Sequence, residues 1–253
     1  MKEQVFVKTG NVTRALDEIR KLLARPKREM VGLGMIYGDP GLGKSRLAKY
    51  VAYRQGFIYV RLEASDTAKS FAQKLWRGLK YQLNLTSDPS EVMGNAPAGS
   101  TNSLLQHCVG ILMDAPDSVI MIDEFDNAMP NRELRETIRD IVDQTFATVI
   151  LVGMRGVRER LERTNPHFFD RSNFFCEFQP LSLEDVKLVC KQVCEYELSD
   201  KLAETAHKVS GGQFRRLMKT ILLFEDKIRG QKAVALTAKD IKDIDNAGSQ
   251  GSK

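Results

Sequence analysis

Cysteine is scarce in this 253-residue chain: four residues, Cys108, Cys176, Cys190 and Cys194. Their number and irregular spacing argue against a disulfide framework. Cys190 and Cys194 fall four apart on a predicted helix and His107 adjoins Cys108, yet no second C-x-x-C or H-x-x-x-H completes a zinc site. Four free, mostly packed thiols are expected. Long apolar runs are missing too, and none approaches the roughly 20 residues that a membrane span requires. The opening Met1-Lys2-Glu3-Gln4-Val5 has no apolar core of a signal peptide behind its lysine. The expectation is a cytoplasmic protein with no membrane partner.

What is present is ordinary for a globular chain, with 42% hydrophobic and 28% charged residues. The length allows one large domain, or one domain and a small companion. Net charge is +5 and the pI about 9.0, which leans toward a polyanionic partner without demanding one. Arg20, Lys21, Arg25, Lys27 and Arg28 come together with no acid among them.

Apolar periodicity predicts an amphipathic helix over Thr13 to Leu23, capped by Thr13 or Asn11 and broken at Arg25-Pro26. Short apolar strands are predicted at Val31 to Tyr37, Phe57 to Leu62, Ser118 to Glu124, Ala147 to Gly153 and Phe174 to Phe178. Helices separate them, one with Phe71, Leu75, Leu79 and Leu83 on its buried face. Such alternation gives an α/β fold, a five-stranded parallel sheet flanked by helices. Thr86 to Ser103, rich in Ser, Pro, Gly and Asn, reads as a surface loop. After Pro180 the strands stop, and helices are predicted over Leu183 to Tyr196, Asp200 to Val209, Gly212 to Ile228 and Ala238 to Ile244. The expected organisation is an α/β domain over 1–179, a small all-helical lid over 180–245 and a disordered tail over 246–253.

The first strand runs into Gly38-Asp39-Pro40-Gly41-Leu42-Gly43-Lys44-Ser45, followed by a helix from Arg46. The pattern G-x-x-x-x-G-K-[ST] between strand and helix is a phosphate-binding loop. Its glycines let the backbone wrap anionic oxygens, its N–H groups form a nest, and the helix N-terminus adds positive potential. Lys44 is expected on the β- and γ-phosphates and Ser45 on Mg²⁺. About 80 residues downstream, a normal separation for this architecture, a buried strand ends in Asp123-Glu124. Asp123 is expected to hold Mg²⁺ through water, and Glu124 to polarise the attacking water. Two arginines join the set: Arg171, before the last strand, and Arg215, one turn into the helix opened by Ser210-Gly211-Gly212-Gln213-Phe214-Arg215.

Strand–GDPGLGKS–helix, VIMIDE, an arginine before the last strand and GGQFR in a helical lid together resemble an AAA+ ATPase, from about Thr13 to Ile244. The resemblance makes Gly38 to Ser45, with Arg46 following, the Walker A loop that binds ATP, and Asp123-Glu124 Walker B. It makes Arg171 the arginine finger that reaches a neighbouring subunit's nucleotide, and Arg215 the sensor-2 arginine. Glu124, Lys44 and Arg171 are then the expected catalytic residues, with Ser45 and Asp123 on the metal. One position departs: where sensor 1 is usually a polar Asn, Thr or Ser, this chain has Gly153-Met154-Arg155. That departure leaves the sensor unassigned and implies slow hydrolysis, stimulated by DNA or a partner.

Within the superfamily, Leu134 to Asp143, the strand Val149 to Met154 and Phe178-Gln179-Pro180-Leu181-Ser182 resemble transposition ATPases of the phage Mu B-protein type. That resemblance implies an ATP-dependent, largely sequence-nonspecific binder of duplex DNA. It implies self-assembly into a homo-oligomeric filament or ring, and a transposase as partner. Lys69, Lys74, Arg77 and Lys80, on the outer side of one predicted helix, are candidate DNA contacts, while Arg132, Arg135 and Arg139 are neutralised locally by Glu133, Glu136 and Asp140. The rival functions are a protein remodeller such as a helicase loader and a nucleotide-switch signalling ATPase. The latter normally carries long appended sensor domains, for which 253 residues leave no room.

Overall fold

The computed structural model describes residues 1–2, 5–83 and 99–230. Ala238 to Ile244, the tail over 246–253 and most of the Thr86 to Ser103 segment lie outside the described residues. By internal contacts the chain forms two compact units. One comprises Leu16–Gly38 and Lys44–Glu177. The other comprises Met1–Ala15, Asp39–Gly43 and the chain from Phe178 onward.

The first unit is built on five strands: β1 (Leu33–Gly38), β2 (Ile58–Arg61), β3 (Val119–Asp123), β4 (Thr148–Gly153) and β5 (Ser172–Phe178). Their order across the sheet is β2-β3-β4-β1-β5. β1 pairs in parallel with β4, β3 with β4, and β2 with β3. The three inner strands are buried at every residue, as continuous apolar runs in a sheet covered on both faces must be. The outer strands β2 and β5 alternate in burial.

Helices α2 (Lys44–Gln55), α3 (Ala68–Gln82), α4 (Thr101–Asp114), α5 (Arg132–Gln144), α6 (Arg155–Thr164) and the short α7 (Pro166–Phe169) accompany the strands. α3 starts at a capping box in which Thr67 accepts from the Ser70 N–H and Ser70 answers to the Thr67 N–H. Its Phe71, Leu75 and Leu79 are fully buried in the core. Leu83, expected on that face, is only partly buried beside it. α4 begins inside the segment expected to be loop, because the Ser100 side chain accepts from the Ser103 N–H at 3.1 Å and caps it.

α1 (Gly10–Leu23) starts three residues earlier than its periodicity suggested. Neither expected residue caps it: the Gly10 N–H donates to Asp185 Oδ1 at 2.8 Å, while Asn11 exchanges hydrogen bonds with the Gln179 backbone. The cap comes from 175 residues away, which local sequence cannot reveal. In that second unit, α8 (Leu183–Val193), α9 (Asp200–Ser210) and α10 (Phe214–Arg229) bury Val186, Val189, Val193, Ala206, Leu217, Ile221 and Phe224 around a small core that includes Val7.

Arg25 corrects its place in the basic cluster. It is 7% exposed, and its guanidinium donates to the carbonyls of Leu22, Met30, Phe146 and Ala147 and to Thr148 Oγ1. A Cβ on Gly32 would overlap that guanidinium at 2.1 Å, so only glycine leaves room. Arg25 ties the end of α1 to the start of β4, and Lys27 pairs with Asp117. Arg25→Ala orphans several buried carbonyls and is expected to cost about 2–4 kcal/mol, measured by urea unfolding. An unchanged midpoint would show the network to be dispensable.

Candidate nucleotide site

The phosphate loop leaves the C-terminal end of β1, an inner strand of the sheet, where ligands of open α/β sheets bind. Gly38, Gly41 and Gly43 have φ of 148°, 82° and 97°, conformations that let successive N–H groups converge on one point. Leu42 anchors the loop at 3% exposure, while Asp39 and Pro40 are exposed. Lys44 opens α2, and its ammonium is 2.7 Å from the Gly38 carbonyl, folded back over the loop. Arg46 projects from the first turn of α2.

Ser45 and Asp123 come together, although 78 residues part them in sequence. Ser45 Oγ donates to Asp123 Oδ1 at 3.1 Å, the Glu124 N–H donates to the same oxygen at 3.0 Å, and the Tyr59 hydroxyl donates to Oδ2 at 2.7 Å. Asp123 is 2% exposed, so these bonds satisfy a carboxylate that would be costly to bury unpaired. The phenol feels the same arrangement: burial, then the hydrogen bond to Asp123, drives its pKa far above the usual tyrosine value. A hydroxyl and a carboxylate beside a phosphate loop are hard oxygen donors. They fit Mg²⁺, which takes few protein ligands and completes its shell with phosphate oxygens and water.

Glu124 is the one non-glycine residue with positive φ among the described residues, at φ 57° and ψ 43°. This left-handed turn costs about 1–2 kcal/mol and throws the carboxylate off the strand line. The side chain is 34% exposed and lies 3.5 Å from Arg61, at the end of β2. At that exposure the pair contributes little stability, but it holds the carboxylate on the β2 side.

The remaining predicted residues are distributed as follows. In the second unit the Arg215 N–H donates to the Gly41 carbonyl at 3.0 Å, so the first turn of α10 meets the phosphate loop itself. Arg171 precedes β5, and nearby Asn173 donates to the Val31 carbonyl just ahead of β1. Arg171 therefore stands by the start of β1, at the other end of that strand from Gly38, about 20 Å away at 3.3 Å per residue. Its Nε is 2.5 Å from Asp143, and it also donates to the His167 carbonyl. Lys69 and Arg77 are exposed on α3. Lys74 is engaged by Asp66 at 2.6 Å, and Lys80 lies 4.7 Å over the Trp76 ring. Arg135 is buried against the Ala128 and Met129 carbonyls, and Arg139 is held by Glu136, Asp140 and Asp143.

A family model described as the AAA domain matches residues 28–161, more than half of the chain. The chain belongs to the AAA domain family. It is a P-loop nucleoside triphosphatase of the AAA+ class, with the nucleotide binding and ATP hydrolase activity that go with it. A comparison with curated protein sequences finds no match. Among solved structures, a Walker-type ATPase of Pyrococcus abyssi has TM-score 0.68 at 14% identity, covering 99% of this chain and 75% of that one. The ORC2 protein of Aeropyrum pernix has TM-score 0.64 at 15% identity, covering 100% of this chain and 72% of its own. The ORC1 protein of the same organism, solved in complex with DNA, has TM-score 0.64 at 14% identity, covering 96% and 66% respectively. At these identities the likeness is one of fold.

Tyr59 and Arg61 escape the motifs because nothing in Phe57 to Leu62 says that β2 neighbours β3. The pairing of Arg61 with Asp123 in register is what brings both to the acidic pair. Two measurements follow for this AAA domain. Lys44→Ala is expected to abolish nucleotide binding in a fluorescent-nucleotide titration, and wild-type affinity would remove the lysine from the site. Tyr59→Phe removes one hydrogen bond from Asp123, worth about 1–2 kcal/mol. It is expected to raise several-fold the Mg²⁺ needed for half-maximal turnover; an unchanged Mg²⁺ dependence would refute its hold on that carboxylate.

Proposed function

We propose that this AAA domain is an ATP-dependent, sequence-tolerant DNA-binding ATPase that assembles with copies of itself and presents target DNA to a transposase. The observation that carries the ATPase part is the joining of Ser45, Asp123 and Glu124 beside Lys44. Lys44 and the loop N–H groups would bind the β- and γ-phosphates. Bound Mg²⁺, held by Ser45 and Asp123, supplies neutralisation of charge on the phosphate oxygens. Glu124 orients and polarises the attacking water, which displaces ADP in line and leaves inorganic phosphate and a proton. Arg215, whose backbone meets Gly41, is suited to follow the state of the loop.

Assembly is supported by the position of Arg171. Standing at the start of the strands, the opposite end from Gly38 of its own chain, it is suited to complete the site of a neighbour. DNA binding is supported at the level of fold by the Aeropyrum pernix ORC1 protein, solved in complex with DNA, and by the basic balance of +5. Of the four candidate contacts on α3, Lys69 and Arg77 are the better placed. The transposase rests on the resemblance carried by Leu134 to Asp143, Val149 to Met154 and Phe178 to Ser182. A loader-like, protein-remodelling role is the second reading. It is favoured by likeness to replication proteins, among them domain III of the Thermotoga maritima replication initiation protein DnaA, with TM-score 0.54 at 17% identity, covering 94% of this chain and 92% of its own.

Phosphate contacts should dominate DNA affinity. Binding to a mixed-sequence duplex is expected only with ATP, and to weaken at least ~10-fold between 50 and 200 mM salt. No duplex binding in ATP, together with tight binding to a replicative helicase, would overturn this reading for the loader. Glu124→Gln is expected to bind ATP but turn it over roughly 10²-fold more slowly, prolonging DNA complexes. Arg171→Ala should lower turnover and assembly together, and mixing it with Lys44→Ala should restore turnover at hybrid interfaces. Full turnover by monomeric Arg171→Ala would rule out action in trans.

A further inference from the structure

The end of β4 offers glycine where the AAA+ resemblance implies a polar side chain, yet a carboxylate lies in the space beside it. A Cβ built on Gly153 would lie 3.1 Å from Asp126 Oδ2 and 3.3 Å from Val157 Cγ2. Asp126 belongs to the short 3₁₀ turn Phe125–Ala128, which follows the left-handed Glu124. That turn brings a carboxylate from the end of β3 across to the end of β4. There its Oδ2 accepts from the Met154 N–H at 2.8 Å.

From these contacts we infer that Asp126 is a positioning residue for ATP hydrolysis: it supplies from the turn after β3 the polar group that Gly153 lacks, fixing the end of β4, where Gly153 pairs with Tyr37 just ahead of Gly38. The inference rests on the ATP site proposed above. Burial pushes the pKa of this carboxyl above the ordinary aspartate value, against the Met154 hydrogen bond and the positive charges of Lys44 and Arg160, which lower it. A side chain at Gly153 would crowd the carboxylate, which would have to shift by a few tenths of an ångström. The bare alternative is a carboxylate that only stabilises the start of α6, whose N-cap residue Met154 has no side-chain cap.

The experiment uses the full chain, with nucleotide affinity, ATP turnover and thermal midpoint measured for each variant. Asp126→Ala is expected to keep nucleotide affinity within ~3-fold and to lose turnover by roughly 30-fold or more. Asp126→Asn, which keeps both an acceptor and a donor, should retain turnover within ~5-fold of wild type. Gly153→Ser should impair the wild type but raise the turnover of Asp126→Ala at least ~5-fold by refilling the vacated volume from β4. A stabilising cap alone predicts a lower thermal midpoint with turnover unchanged, and that result would overturn the inference. So would loss of turnover in Asp126→Ala that neither asparagine nor the serine rescues. Glu124→Gln separates the two levels. If it turns over normally, the site assignment itself fails and takes this inference with it; if it is slow while Asp126→Ala is normal, only the role of Asp126 fails.

Discussion

The Asp123 carboxylate is the point on which this structure turns. It is buried at the end of an inner strand and satisfied by a hydroxyl from α2, a hydroxyl from β2 and the N–H of the residue that follows it. An ionised group in such a place is tolerable only when its lone pairs are met. Those partners fix three elements against one another: the helix after the phosphate loop, the outer strand β2 and the turn carrying Glu124. A hydroxyl and a carboxylate are therefore brought together beside the phosphate loop by the fold itself.

The same region shows how neighbouring carboxylates are kept apart by the backbone. Glu124 is turned out of the strand by a left-handed backbone and held on the β2 side by an exposed, weak ion pair with Arg61. Asp126, two residues later, is carried the other way to the end of β4. Two carboxylates so close in sequence thus serve opposite sides of Asp123. The unfavourable backbone at Glu124 is what makes the separation possible, and such strain persists where the surrounding structure compensates for it.

Basic residues illustrate a different lesson. Read along the chain, Arg20 to Arg28 and the lysines of α3 look like surfaces for a polyanion. In the folded molecule Arg25 is a buried tie between α1 and β4, Lys27 answers Asp117, Lys74 answers Asp66 and Arg139 answers three acids of its own helix. What remains exposed on α3 is Lys69 and Arg77. Charge counted from sequence overstates the positive surface, because each acid partner lies elsewhere in the chain or on the adjoining turn.

Strand-loop-helix geometry around Gly38 to Ser45, the five apolar strands and the acidic end of β3 could be read from sequence. They depend on local patterns: glycine spacing, continuous apolar runs, a change of composition after Pro180. The family follows from those patterns. Tertiary structure alone decided which strand lies beside which, and with that the roles of Tyr59 and Arg61. It also decided that Asp185 caps α1, that Arg25 is interior and that Asp126 reaches the Met154 N–H at the end of β4. Each of these depends on a contact between residues distant in sequence or on the direction of one turn. No periodicity records either.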